Sequence, residues 1–205
     1  MLTLLRDNKV IPVTAINRVD DGLRLSELLL ENSINIIEIT LRTGAAFEVI
    51  KSIRSAFPEM TTGAGSILDS DSLKKAADSG AVFGVAPCFD PEVVDAAEEL
   101  NLPFVPGIAT PSELSSALKR SNLIKIFPAA SLGGTDYIKA IAAPFALKNF
   151  KFMPTGGVNE KNLKDYLALD SVAACGMTWI ADPKLIEAGD FKTLKERIKS
   201  LRRIS

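Results

Sequence analysis

Residues 34–40 read Ile34-Asn35-Ile36-Ile37-Glu38-Ile39-Thr40, a β-branched run that carries one acid, and Leu123-Ile124-Lys125-Ile126-Phe127 repeats the pattern with an amine at its centre. Six further apolar runs join them: Val10 to Ala15, Met60 to Ala64, Val82 to Ala86, Pro103 to Pro106, Lys151 to Pro154 and Val172 to Cys175. The centres of successive runs lie 21–27 residues apart. Between them the apolar residues take helical spacing, at Asp21 to Asn32, Ala45 to Ala56, Ser70 to Ser79, Pro91 to Leu100, Pro111 to Leu118, Thr135 to Ile141, Glu160 to Leu167 and a final basic stretch. Asp90 before Pro91, and Thr110 before Pro111 and Glu113, are helix start signals.

Strict alternation of strand and helix implies a parallel sheet, because parallel neighbours need a long crossover and a helix normally supplies it. Eight such units imply an α/β fold closed as a (β/α)8 TIM barrel, one domain over residues 1–205, with Leu2 to Asn8 as a short helix placed to plug its bottom. The competing architecture, an open doubly wound sheet, carries a G-x-G-x-x-G turn after its first strand; this chain has Thr14-Ala15-Ile16-Asn17-Arg18 there.

Composition narrows the chemistry. Lys and Arg number 24 against 25 Asp and Glu, a net charge of -1, so a nucleic-acid partner is not expected. The absence of histidine excludes Ser-His-Asp triads, Cys-His pairs and imidazole zinc sites. No apolar run reaches the roughly 18 residues of a membrane span, and no export signal is evident, so a cytoplasmic location is expected. Cys88 and Cys175, which follow or end strands at opposite sides of the expected barrel, are read as free thiols.

Residues two apart on a strand share a face. With Ile37 and Ile39 turned to the helix layer, Ile36, Glu38 and Thr40 face inward; with Ile124 and Ile126 outward, Lys125 also faces inward. An acid and an amine inside one core are costly unless paired or used. A structural ion pair, or a lysine reaching for the rim, competes with catalysis at this point. In the catalytic reading a lysine amine attacks a carbonyl, and the resulting iminium stores the electrons of a breaking C–C bond, with Glu38 shuttling protons and neither metal nor organic cofactor required.

The loops after strands seven and eight read Thr155-Gly156-Gly157 and Gly176-Met177-Thr178; in this fold such loops frequently cup a phosphate, so Gly156, Gly157, Gly176 and Thr178 are candidate ligands. Gly63-Ala64-Gly65-Ser66 is read as a close-approach turn after strand three, and Arg42 offers a fork for a substrate carboxylate, ordinary loop geometry and a solvated arginine being the competing readings. The basic C-terminal stretch is read as the solvated face of a packed helix, with Phe191, Leu194, Ile198 and Leu201 along its apolar stripe.

Five blocks then carry a resemblance: Ile37-Glu38-Ile39-Thr40-Leu41-Arg42-Thr43, Gly63-Ala64-Gly65-Ser66, Phe104-Val105-Pro106-Gly107, Lys125-Ile126-Phe127-Pro128-Ala129 and Pro154-Thr155-Gly156-Gly157. In this order they closely resemble the 2-keto-3-deoxy-6-phosphogluconate (KDPG) / 4-hydroxy-2-oxoglutarate (KHG) aldolases, over nearly the whole chain. The resemblance implies Lys125 as the Schiff-base lysine, Glu38 as general acid/base, and Arg42 with Ser66 on the pyruvyl carboxylate. It also implies Phe127 and Pro87 lining the pocket, and Thr155, Gly156, Gly157 and Thr178 on the substrate phosphate. The expected substrate is a small 2-oxo acid or sugar phosphate, and the expected assembly a homotrimer. Serine replaces the usual threonine at position 66, threonine the frequent serine at 178, and Ala86 stands where relatives commonly have serine. Preference between KDPG, its galactonate epimer and KHG therefore stays open, and so do an isomerase or epimerase on the same frame and a sugar-phosphate binding protein without turnover.

Overall fold

The computed structural model describes residues 8–201; the helix expected over Leu2 to Asn8 lies outside them apart from Asn8 itself, which is not helical. Strand and helix alternate as the periodicity requires. The order is β1 (Val10–Thr14), α1 (Val19–Leu30), β2 (Ile36–Thr40), α2 (Ala46–Ala56), β3 (Thr61–Gly65), α3 (Ser70–Asp78), β4 (Gly84–Val85) and α4 (Pro91–Glu99). It continues with β5 (Phe104–Val105), β6 (Gly107–Ile108), α5 (Pro111–Ala117), β7 (Leu123–Ile126), α6 (Gly134–Ala142), β8 (Lys151–Pro154), α7 (Leu163–Leu167) and β9 (Cys175–Met177). A 3-10 turn (Trp179–Ala181), α8 (Pro183–Glu187) and α9 (Phe191–Leu201) complete it.

The two helix starts signalled by the sequence are capped. Asp90 accepts from the Glu92 N–H at 2.9 Å, and Thr110 with Glu113 forms a reciprocal capping box ahead of Pro111. Helix α8 was not expected from the sequence, since five residues are too few to show a helical period.

All strand pairings are parallel. They form a six-stranded sheet in the order β5-β4-β3-β2-β1-β9 and a three-stranded sheet β6-β7-β8. The sheets meet at two seams. At one, Pro106, the last residue of the expected fifth strand, separates β5 from β6, which lies beyond that expected run; lacking an N–H, it interrupts the ladder. At the other, isolated bridges pair Phe152 with Val172 and Thr155 with Gly176. The eighth expected strand, Val172 to Cys175, is thus displaced: Val172 makes a single bridge and the ladder begins at Cys175.

Two apolar layers divide along strand parity. Ile37, Ile39, Ile124 and Ile126 pack with helix residues such as Leu25, Val49 and Leu114. A second cluster of Ile11, Val13, Ile36, Phe83, Val85, Val105, Leu123, Met153 and Ala174 comes from the strands and the residues leading into them. Full burial of a side chain of this size contributes roughly 1.5–3 kcal/mol. Among the described residues, no helix is long and apolar enough to cross a membrane.

Candidate active site

Parity decides the orientation of the two charged strand residues. Glu38 on β2 is fully buried and Lys125 on β7 is 4% exposed, so both project away from the helix layer onto the inner cluster. Lys125 Nζ lies 3.5 Å from Glu38 Oε1, and the Phe127 ring centroid is 5.6 Å from the same nitrogen. Glu38 Oε2 is buried without a hydrogen-bond partner among the described residues. An acceptor left in that state costs about 1–3 kcal/mol or more, so a donor brought to this oxygen would be favoured.

Glycine makes room for it. Gly63 and Gly65 are strand residues paired with Glu38 and Thr40, not a turn as expected, because the β3 ladder runs on to Gly65. A Cβ on Gly65 would sit 2.7 Å from Glu38 Cδ and 2.8 Å from Cγ, with Oε1 nearer still. A Cβ on Gly63 would run into the Phe83 ring. The glycines therefore serve close packing.

Beyond the strand ends, Arg42 Nε donates to Ser66 Oγ at 2.9 Å. Ser66 has φ +58°, in the left-handed region that costs a non-glycine residue roughly 1–2 kcal/mol. The turn thereby aims its hydroxyl toward the exposed arginine. A cavity of about 100 Å³ brings together Glu38, Arg42, Ser66, Lys125 and Phe127 with Thr155, Gly156 and Thr178. Every expected acid, base, carboxylate-binding and hydroxyl residue thus faces one space.

Pro87, Gly157 and Gly176 do not line it. Gly157, at φ +79°, packs on Ala130, and Gly176 lets the Thr155 side chain approach, a Cβ there falling 3.1 Å from Thr155 Cγ2. The backbone of Pro87 lies against Gly107. Other lining residues were given no role beforehand. Thr40, already turned inward by parity, donates to the Thr14 carbonyl at 3.1 Å, and Ala15 and Pro183 add apolar walls that no sequence motif marks. A larger groove of about 540 Å³ opens at the other end of the strands near Phe104, Arg120 and Lys148. It holds none of the expected residues, and Arg120 is already tied to Asp95 and Glu98.

The thiols stand apart from this chemistry. Burial pushes the Cys175 thiol up to about 12. Cys88 is also raised, first by partial burial and then by the Asp90 and Glu113 carboxylates. Both are free.

A buried amine against a carboxylate, beside an arginine–serine pair and a glycine–threonine loop, can take up a small 2-oxo acid and bind an anion at its far end. Comparison with known proteins points the same way. A family model described as "KDPG and KHG aldolase" matches residues 2–197. A 2-dehydro-3-deoxy-phosphogluconate aldolase of Haemophilus influenzae is 35% identical over 96% of this chain and 92% of its own. A KHG/KDPG aldolase of Escherichia coli is 34% identical over 98% and 92%. Among solved structures, a Legionella pneumophila KDPG aldolase holding pyruvate as a covalent carbinolamine superposes with TM-score 0.90 at 34% identity, over 96% of this chain and 95% of that one.

Proposed function

This chain belongs to the KDPG and KHG aldolase family, and from that premise we propose that it is a class I aldolase cleaving KDPG reversibly to pyruvate and glyceraldehyde 3-phosphate, with KHG as a second substrate. The observation that carries the reading is the 3.5 Å approach of the buried Lys125 amine to Glu38. Lys125 Nζ attacks C2 of the 2-oxo acid, and Glu38 passes a proton to the departing hydroxyl as water is lost. In the iminium so formed, the C3–C4 bond breaks toward nitrogen while Glu38 takes the C4 hydroxyl proton. The aldehyde leaves, the enamine is protonated at C3, and water releases pyruvate from the lysine.

Arg42 and Ser66 clamp the carboxylate, so the carbonyl carbon is presented to Nζ in one orientation. Thr155, Gly156 and Thr178 take the phosphate at the other end, with Gly157 seating the loop against Ala130. We read the two sheets, joined through Pro106 and the Thr155–Gly176 bridge, as a closed (β/α)8 barrel, with Gly176 shaping the cup through Thr155. A cytoplasmic homotrimer completes the reading, on the strength of the family resemblance.

Incubation with pyruvate and borohydride should add a reduced three-carbon adduct on the Lys125 peptide, and the folded Lys125→Met variant should gain none. Turnover without any adduct would instead favour a proton-transferring isomerase or epimerase, and binding without turnover a non-enzymatic role.

A further inference from the structure

Resting on the aldolase reading, we propose that Arg197 is a positioning residue for the phosphate end of the substrate, acting from the last helix through the turn after β9. Thr178 and Pro183 both line the reactive cavity. Between them the chain makes the 3-10 turn Trp179–Ala181, closed by the Ala181 N–H donating to the Thr178 carbonyl at 2.9 Å.

Arg197 holds that turn near both ends. Its Nη1 donates to the Trp179 carbonyl at 2.8 Å and to Asp182 Oδ2 at 3.3 Å, and its guanidinium lies 5.0 Å over the Trp179 ring. The other oxygen of Asp182 accepts from the Lys184 N–H at 3.0 Å and starts α8. One guanidinium thus ties the residue after Thr178 to the residue before Pro183.

A planar fork that also stacks on an indole suits this task better than a point charge, which has no face to lay on the ring. Arg197 is not among the residues lining the cavity. It reaches the substrate only by fixing where the Thr178 hydroxyl stands. The helix itself is docked by buried Leu194 and Ile198, so removal of the guanidinium should leave α9 in place.

The test compares wild type, Arg197→Gln and Arg197→Lys in cleavage of phosphorylated KDPG and unphosphorylated KHG, with pyruvate–borohydride labelling and thermal melting alongside. A loosened phosphate site predicts KM for KDPG raised about tenfold in Arg197→Gln, within the range for small displacements of a binding group. kcat for KDPG, the parameters for KHG and the labelling rate at Lys125 should hold, and Arg197→Lys should fall between. Equal losses on both substrates, or an unchanged KM for KDPG in a folded variant, would overturn the role of Arg197. Failure of the wild-type enzyme itself to label would overturn the aldolase reading instead.

Discussion

Gly65→Ala offers a test of how finely Glu38 is placed. Gly65 does not adopt a left-handed φ, so alanine can take its backbone conformation, and the effect of the substitution reduces to one methyl group. That methyl would stand 2.7 Å from Glu38 Cδ, where ordinary carbon contacts are about 3.5–4.0 Å. The carboxylate must retreat by about 1 Å. Misplacement of that size costs up to about a hundredfold in rate, or ~2.7 kcal/mol of barrier at ~1.36 kcal/mol per tenfold. Steady-state cleavage of KDPG should therefore show kcat/KM down about two decades, while the protein stays folded. Gly63→Ala, one pleat back on the same strand, is the matched comparison. Its methyl meets the Phe83 ring, an apolar overpacking that should lower stability by about 1–3 kcal/mol with less effect on turnover of the folded fraction. Wild-type kcat/KM in a folded Gly65→Ala enzyme would refute the claim that this glycine sets the position of the acid.

Three other outcomes are expected. Glu38→Gln should bind pyruvate yet lose about 10²–10⁴ in kcat, because the amide cannot accept the protons that the cycle moves; a loss below tenfold would remove Glu38 from that role. Burial raises the Glu113 carboxyl, but hydrogen bonds from the Ala109 N–H and from the Thr110 hydroxyl and N–H outweigh it, so it lies below its ordinary value. A depressed folded value contributes stability above the unfolded carboxylate range and loses it as pH falls through the folded one. Glu113→Ala should thus lower stability in urea unfolding at pH 7 by at most about 1 kcal/mol, this carboxyl being largely screened by solvent, the gap to wild type narrowing below about pH 4; a constant gap would contradict the cap. At pH 8 a disulfide reagent should modify exposed Cys88 in the native protein and buried Cys175 only after denaturation; rapid modification of both would contradict the packing of β9.

What the sequence made legible was set by period and parity. A β-branched run with one charge in it has two faces, and packing the isoleucines against helices leaves Glu38 and Lys125 a single place to point, which is where they lie. Runs without alternation gave no such handle. Val172-Ala173-Ala174-Cys175 is apolar throughout, so nothing in it marks where pairing begins, and the ladder starts at the last of the four. Pro106 closes an apolar run and so reads as a strand residue; its missing N–H, readable in principle, is where the ladder breaks. The glycine block 63–66 resembles a turn in composition, whereas its purpose depends on Glu38 from β2 and on Phe83 just ahead of β4. The Arg197 clamp could not be foreseen, since a basic residue on a solvated helix resembles its neighbours until Trp179 and Asp182 come within reach of it.

The apolar layer beneath the reactive pair has one more effect. Ile11, Ile36, Leu123 and Met153 close the inner face of the strands with hydrocarbon, so in the proposed reaction the water that hydrolyses the imine would enter from the rim by which the aldehyde departs. In the proposed reaction water and aldehyde would then share one rim, and how fast each crosses it would set how long an enamine on Lys125 persists.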